Sequence, residues 1–386
     1  MLIYTIIALA VIFPLIAPSK GKDRALMVSF ILLFIPWGLQ YQVTEDWPVY
    51  VERWQTVQMN DDTIGKRVLE GGYVWLMKLC SPIGFFGFLI VCAIFFLSIL
   101  HLFIKNYVAK EWYWLVILVL MSNMKLGFLL IDTNRQTIAV GFSMLSMFLL
   151  LYEGEKWGKI RKYKYIIALI LMIFASQVHT SAYVAFLLFP ILYIVKHVKR
   201  INFWISAIVF NVLYFGRYLL HVDFLQKWIL NIWVGTALMT ENNEFFSLYM
   251  EQMENENERS AIIEYFVSLF FCHSFLLIYN KLNVPYRFFG ICMIIFYIGE
   301  GYLTMDLPRV LLYMNIYSIL LVPQLFQYPK NVLSNTHVVK NPLLLGSLIL
   351  VILIHMVFFY NGMTTNIYYK QWKSDFTTIL EAPGWM

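Results

Sequence analysis

The chain has 386 residues, of which 60% are hydrophobic, 18% aromatic and only 13% charged, with a formal net charge of +6 and a mean hydropathy of +0.68. A soluble protein of this length needs charged residues to cover its exterior, so this composition excludes a soluble enzyme and points to a helical membrane bundle. No basic run is interleaved with aromatic residues, so nucleic acid is excluded as a partner and the surplus of Lys and Arg reads as a record of topology.

Breaks in the apolar pattern predict about twelve transmembrane helices, at roughly 2–17, 25–42, 83–104, 112–131, 136–152, 166–179, 180–195, 201–219, 261–280, 287–304, 309–328 and 342–360. Helices are the expected form, because hydrocarbon offers no partner to open backbone groups. The fold class is therefore an all-α integral membrane protein, a single transmembrane bundle over 1–386. Met1–Ile16 lacks a basic leader and a small-residue cleavage site, so it is expected to remain as the first span. Residues 166–195 admit two readings: two spans meeting near His179, or one long tilted helix.

Short connections hold Lys20, Lys22 and Arg24; Lys105 and Lys110; the cluster from Lys156 to Lys164; Lys196, Lys199 and Arg200; Lys281 and Arg287; and Lys330 and Lys340. The positive-inside rule places them in the cytoplasm. The longer loops at about 43–82 and 220–260, and the tail at about 361–386, then face outward and hold most of the acids. The run Glu251, Glu254, Glu256 and Glu258 reads as a solvated loop, and no metal is expected. Trp37, Tyr41 and Trp47 at one boundary, and Trp112 and Trp114 at the other, fit interfacial belts. Cys80, Cys92, Cys272 and Cys292 have no CxxC spacing and read as small core residues.

Two arginines recur in one setting. Asp132-Thr-Asn-Arg135-Gln136 and Asp306-Leu-Pro-Arg309 each open a span at its outer end, with Asp three residues before Arg. Unpaired amides and the helix dipole favour an anion there, and guanidinium adds a fork suited to phosphate. The plainer reading pairs each Arg with its own Asp or anchors it at headgroups. His179 lies in the polar cluster Ala-Ser-Gln-Val-His-Thr-Ser-Ala at an outer helix end, where it can act as a base toward a sugar hydroxyl or cap a helix. In the first outer loop, Asp46, Trp47, Tyr50 and Arg53, then Glu70 and Tyr73, combine carboxylates and rings in a way that suits sugars, and equally suits an ordinary interfacial loop. Glu300 stands inside a span, where a carboxylate is a functional candidate.

At these residues the chain resembles the EpsG-type branch of the Wzy polysaccharide polymerases. The pattern comprises Asp46 to Tyr50 after the second span, Glu70-Gly-Gly-Tyr73 before the third, Arg135-Gln136-Thr-Ile-Ala139, His179-Thr-Ser-Ala182, and Arg309 in Pro-Arg-Val-Leu-Leu-Tyr. Glu45 stands where that pattern has a small residue. The resemblance implies a GT-C-like bundle in the cytoplasmic (inner) membrane of a bacterium, with its active face outward. The implied activity is a metal-independent, cofactor-free glycosyltransferase whose donor and acceptor are undecaprenyl-pyrophosphate-linked glycans. Its partners are those lipids, the membrane and a chain-length regulator. It carries over Arg135 and Arg309 as phosphate ligands, His179 as base or acceptor-positioning group, and Asp46, Tyr50, Arg53 and Glu70 as the outer-loop cluster; with Tyr73, Gln136 and the intramembrane Glu300, that cluster makes up the expected substrate-binding residues. A flippase for the same lipid, an O-antigen-ligase-like transferase and a structural subunit are the competing readings.

Overall fold

The computed structural model describes residues 2–41, 47–59, 70–122, 134–152, 162–219, 261–302, 310–332 and 377–378. Thirteen α-helices run through them: α1 (Leu2–Ile16), α2 (Lys22–Gly38), α3 (Trp47–Met59), α4 (Gly71–Leu79), α5 (Gly84–Tyr107), α6 (Tyr113–Ser122), α7 (Asn134–Leu151), α8 (Lys164–Val178), α9 (Leu188–His197), α10 (Phe203–Leu219), α11 (Ala261–Ile278), α12 (Val284–Tyr302) and α13 (Leu312–Val332). A 3-10 helix at Thr180–Leu187 joins α8 to α9. The regular secondary structure of the described residues is helical apart from one two-residue antiparallel pairing, Gln40 with Thr378 and Tyr41 with Thr377. Each expected span as far as 309–328 overlaps helical backbone, while the one at 342–360 lies outside the described residues. The end of α8 at Val178, with His179 extended and a 3-10 helix after it, resolves the ambiguity over 166–195 in favour of two segments.

Two compact units emerge, residues 1–187 with 319–386 and residues 188–318, the boundary falling within α13. In the first, α1 packs on α2 and α6, α2 on α5, α5 on α7, and α7 on α8. Pro14 in α1 has no N–H to offer the carbonyl of Ala10, one turn earlier, and the Ser29 hydroxyl of α2 donates to that carbonyl instead at 2.6 Å. Ser146 of α7 likewise donates to the Ala168 carbonyl of α8 at 2.7 Å. Such contacts require close helix approach, which small residues allow.

The apolar exterior is what a bilayer selects. On α8, Ala168, Met172 and Ala175 are buried while Ile166, Leu169, Ile170 and Ile173 are exposed. The larger residues face out and the smaller face in, the reverse of a water-soluble helix. In the second unit, α10 exposes Trp204, Ile205, Ile208, Val209 and Val212 while burying Ala207 and Phe210. Among the described residues, Ser81–Tyr107 and Thr180–His197 are long and apolar enough to cross a membrane by length and composition. Both features belong to a membrane protein.

Two pairs of the connections predicted to share a side meet within their unit. Asp23, entering α2, pairs with Lys110 before α6 and accepts the Tyr113 hydroxyl at 3.3 Å. Lys110 holds the Asp23 carboxyl below its ordinary range, against a smaller opposing push from burial. In the second unit, Tyr279 donates to the Val198 carbonyl at 2.8 Å, and Asn280 exchanges hydrogen bonds with the Ile201 backbone at 2.8 and 3.0 Å.

Two expectations change. The 43–82 segment, read as a loop, carries α3 and α4. Pro48 stands in the first turn of α3, where its missing N–H costs nothing, and Trp47, Tyr50, Trp54 and Val57 recur at helical spacing along one buried face. Trp37, Trp47 and Trp112, read as interfacial belt residues, are buried inside the protein. Trp47 packs edge-on against Phe85 at 5.4 Å, and Trp112 stacks on Phe326 at 6.1 Å. Large aromatic area finds more contact in a protein core than at headgroups. All four cysteines are free, and Cys92, Cys272 and Cys292 are buried, as core residues should be.

Candidate functional site

The N-terminal turn of α7, the start of α4 and the break after α8 meet at one end of the first unit. Arg135 is the second residue of α7, and its Nη1 lies 2.8 Å from Glu70 Oε2. The two side chains are 20% and 14% exposed, so the pair is largely desolvated. Glu70 occupies the N-cap position of α4, with φ −63° and ψ 133°, yet its carboxylate does not cap that helix. Its other oxygen, Oε1, accepts the backbone N–H of Thr180 at 3.3 Å. One carboxylate therefore ties the start of α7 to the turn that follows α8.

Glycine makes this reach possible. A Cβ on Gly72 would lie 2.7 Å from the carbonyl oxygen of Gln177, so the first turn of α4 rests directly on the backbone at the end of α8. Gly71 faces open space. Below them, aromatic packing braces the turn: Tyr73 meets Phe88 at 5.7 Å, and Trp54 meets Phe88 at 5.5 Å. The Arg135 guanidinium carbon lies 5.9 Å from the Tyr73 ring centroid, and that of Arg53 lies 5.9 Å from the Tyr50 ring. Burial pushes the Tyr73 phenol well above its ordinary pKa, so the ring beside Arg135 is neutral. Arg135 Nε is buried and, among the described residues, has no hydrogen-bond partner.

His179 ends α8 in an extended conformation, φ −152° and ψ 127°. It then caps the 3-10 turn it precedes. Its Nδ1 accepts the Ser181 backbone N–H at 3.1 Å and lies 2.6 Å from Ser181 Oγ, and its carbonyl accepts the Ala182 N–H at 2.9 Å. Thr180 N–H goes to Glu70, so the first donors of the turn are satisfied by the two residues that bear on the site.

Of the residues singled out in the sequence, Glu70, Tyr73 and Arg135 converge, and Thr180 brings the His179 turn to the same carboxylate. Tyr50 and Arg53 lie on α3, which packs against α4, with the Arg53 guanidinium near enough to bear on the Tyr73 phenol. Gln136 is buried in α7, 2% exposed. Glu300 falls in the last turn of α12, in the second unit. Asp46, Arg309, Asp132 and Asp306 lie outside the described residues, as do the acidic run at 251–258, the 220–260 loop and the 361–376 part of the tail. The plain pairing expected for Arg135 was with Asp132, and the carboxylate that the described residues give it is Glu70. Sequence reading assigned no role to Thr180, Ser181 or Gly72. The doubled glycine after Glu70 was the available signal of close backbone approach. Among the described residues no group of three metal-ligating side chains gathers.

A protein-family model described as the EpsG family matches residues 24–375, and the chain belongs to that family. Membership points to a membrane protein of glycosyltransferase type, with a polysaccharide-polymerase-like role in exopolysaccharide biosynthesis. Neither the curated proteins nor the solved structures returned a match.

Proposed function

We propose that this EpsG-family protein is a polysaccharide polymerase of the bacterial cytoplasmic membrane. It joins undecaprenyl-pyrophosphate-linked oligosaccharide repeat units at the outer face. The observation that carries the reading is Arg135: a mostly buried guanidinium at a helix N-terminus, held by Glu70 beside the His179 turn, with a buried Nε left over. That is the chemistry a pyrophosphate leaving group needs, a fixed cation at a helix N-terminus in a dry setting. Arg309, which opens a second span behind Asp306, is the proposed second phosphate ligand.

In the proposed reaction a hydroxyl of one lipid-linked repeat unit attacks the anomeric carbon of the glycan on another lipid. The new glycosidic C–O bond forms as the bond to the pyrophosphate breaks, and the pyrophosphate departs with the electron pair. Charge grows on the leaving oxygens, where Arg135 acts, and binding both lipids side by side supplies proximity.

Arg135→Lys tests this reading. Lysine keeps the charge but loses the planar fork, so long-chain glycan should fall on the order of 100-fold, with protein level unchanged by blotting. Single repeat units should still reach the outer leaflet. Normal chain length would overturn the role of Arg135. Repeat units trapped on the inner leaflet would overturn the polymerase reading and favour a flippase.

A further inference from the structure

We propose that His179 works as a hydrogen-bond donor through Nε2–H, and that Ser181 is the positioning residue that holds it in that state; the inference rests on the polymerase reading for the identity of the acceptor. A histidine at an outer helix end invites the role of general base. The turn it caps argues otherwise. A backbone N–H can only donate, so the Ser181 N–H at 3.1 Å requires an unprotonated Nδ1 with its lone pair turned toward that amide. The Ser181 hydroxyl, 2.6 Å from the same nitrogen, then donates to it as well. A neutral imidazole carries one ring proton, which these two donors assign to Nε2.

A base at Nε2 needs the other tautomer, with its proton on Nδ1. That proton would point at the amide of Ser181, donor against donor, and the turn would lose its cap. The same geometry that folds the 3-10 helix thus commits the ring to donating. The anionic oxygen that receives the hydrogen bond is a pyrophosphate oxygen of the donor lipid. Glu70 places the acceptor in this corner, since its two oxygens join Arg135 on one side to the amide beside His179 on the other. During transfer the acceptor hydroxyl bonds to the anomeric carbon, the C–O bond to phosphate breaks, and the hydroxyl proton passes to the departing pyrophosphate. His179 keeps its own proton throughout and steadies the leaving charge beside Arg135.

Two measurements test the assignment, one of them independent of activity. Nitrogen-15 NMR of ring-labelled histidine in the purified, lipid-reconstituted protein, with the His179 signal identified by its loss in a His179→Gln sample, should show Nε2 protonated and Nδ1 bare. The opposite tautomer overturns the proposal whatever the protein polymerises. The second uses lipid-linked repeat units extracted from a deletion strain. A Gln amide nitrogen can stand where Nε2 stands and donate, whereas Asn reaches only the Nδ1 position. His179→Gln should keep polymerisation within about tenfold, while His179→Asn and His179→Ala lose on the order of 100-fold or more, the scale of a removed charge-stabilising donor. Equal loss in Gln and Ala variants, with the bare-Nδ1 spectrum retained in the parent, would show that proton acceptance matters and overturn the donor role. Failure of the parent protein to lengthen any glycan would strike the polymerase reading and the acceptor's identity, leaving the tautomer to stand or fall on the spectrum.

Discussion

Glu70 and Arg135 should be strongly coupled, and a double-mutant cycle measures it. The pair is 2.8 Å apart with side chains 14% and 20% exposed, so neither group recovers full hydration if the other is removed. Truncating one partner of a desolvated ion pair costs about 3–5 kcal/mol, most of it the stranded charge. Glu70→Ala also frees the Thr180 N–H, which adds a smaller cost because that amide is near the surface. Arg135→Ala strands the carboxylate in turn. Removing both leaves no buried charge, so the double variant should be more stable than the sum of the single losses predicts, by roughly 2–3 kcal/mol. Glu70→Gln keeps one oxygen that must serve either Arg135 or Thr180, and should lose about 1.5–3 kcal/mol, the worth of a hydrogen bond to a charged group. The assay is equilibrium unfolding of the purified protein in mixed micelles titrated with a denaturing detergent, followed by tryptophan fluorescence. Single losses that simply add, with coupling below about 0.5 kcal/mol, would refute the reasoning.

The doubled glycine offers a sharper contrast within one motif. Gly72→Ala drives a methyl to 2.7 Å from the Gln177 carbonyl and should destabilise by about 1–3 kcal/mol while shortening the glycan. Gly71→Ala, facing open space, should be neutral or slightly stabilising in the same melts. Topology is tested with single cysteines on a cysteine-free background: an impermeant thiol reagent added to intact cells should label Asn255→Cys and spare Lys159→Cys, and the reverse pattern would invert the orientation.

Most of the helical plan was open to reading from the sequence, because in hydrocarbon the length of an apolar run and the obligation to bond the backbone internally leave little choice. Positions of partners were harder. Arg135 is visible in the sequence as a costly charge at a helix end, but the partner it has among the described residues, Glu70, lies 65 residues earlier. Nothing local announces such a pair. It depends on α4 lying on the end of α8, and that depends on Gly72 having no side chain. The helices within the 43–82 connection were hidden for a related reason: Trp47, Tyr50, Trp54 and Val57 carry a helical period that pays for its order only once Phe85 and Phe88 are there to cover them. His179 was seen as both a capping and a chemical residue, and the capping geometry turned out to constrain the chemistry.

The distribution of charge bears on the choice between enzyme and transporter. Carriers of charged substrates place ionisable groups and broken helices near the middle of the membrane, where the substrate is held while access alternates. In the first unit, the stretches 2–16, 25–38, 84–104, 113–122, 136–151 and 165–178 contain no Asp, Glu, Lys or Arg. Polar contacts within them are of another kind, Ser29 and Ser146 donating to helix carbonyls across close-packed pairs. Among the described residues of this unit the ion pairs sit at its ends: Asp23 with Lys110 at one, and Glu70 with Arg135 at the other. Those stretches therefore offer an anionic headgroup no ionisable partner along their length. The Ser29 and Ser146 hydroxyls, which a path for pyrophosphate between these helices would draw on, are engaged in helix–helix hydrogen bonds. Replacing both with Ala should therefore lower stability by about 0.5–1.5 kcal/mol for each hydrogen bond and leave glycan length unchanged; repeat units retained on the inner leaflet of that variant would show that these helices form a conduit after all.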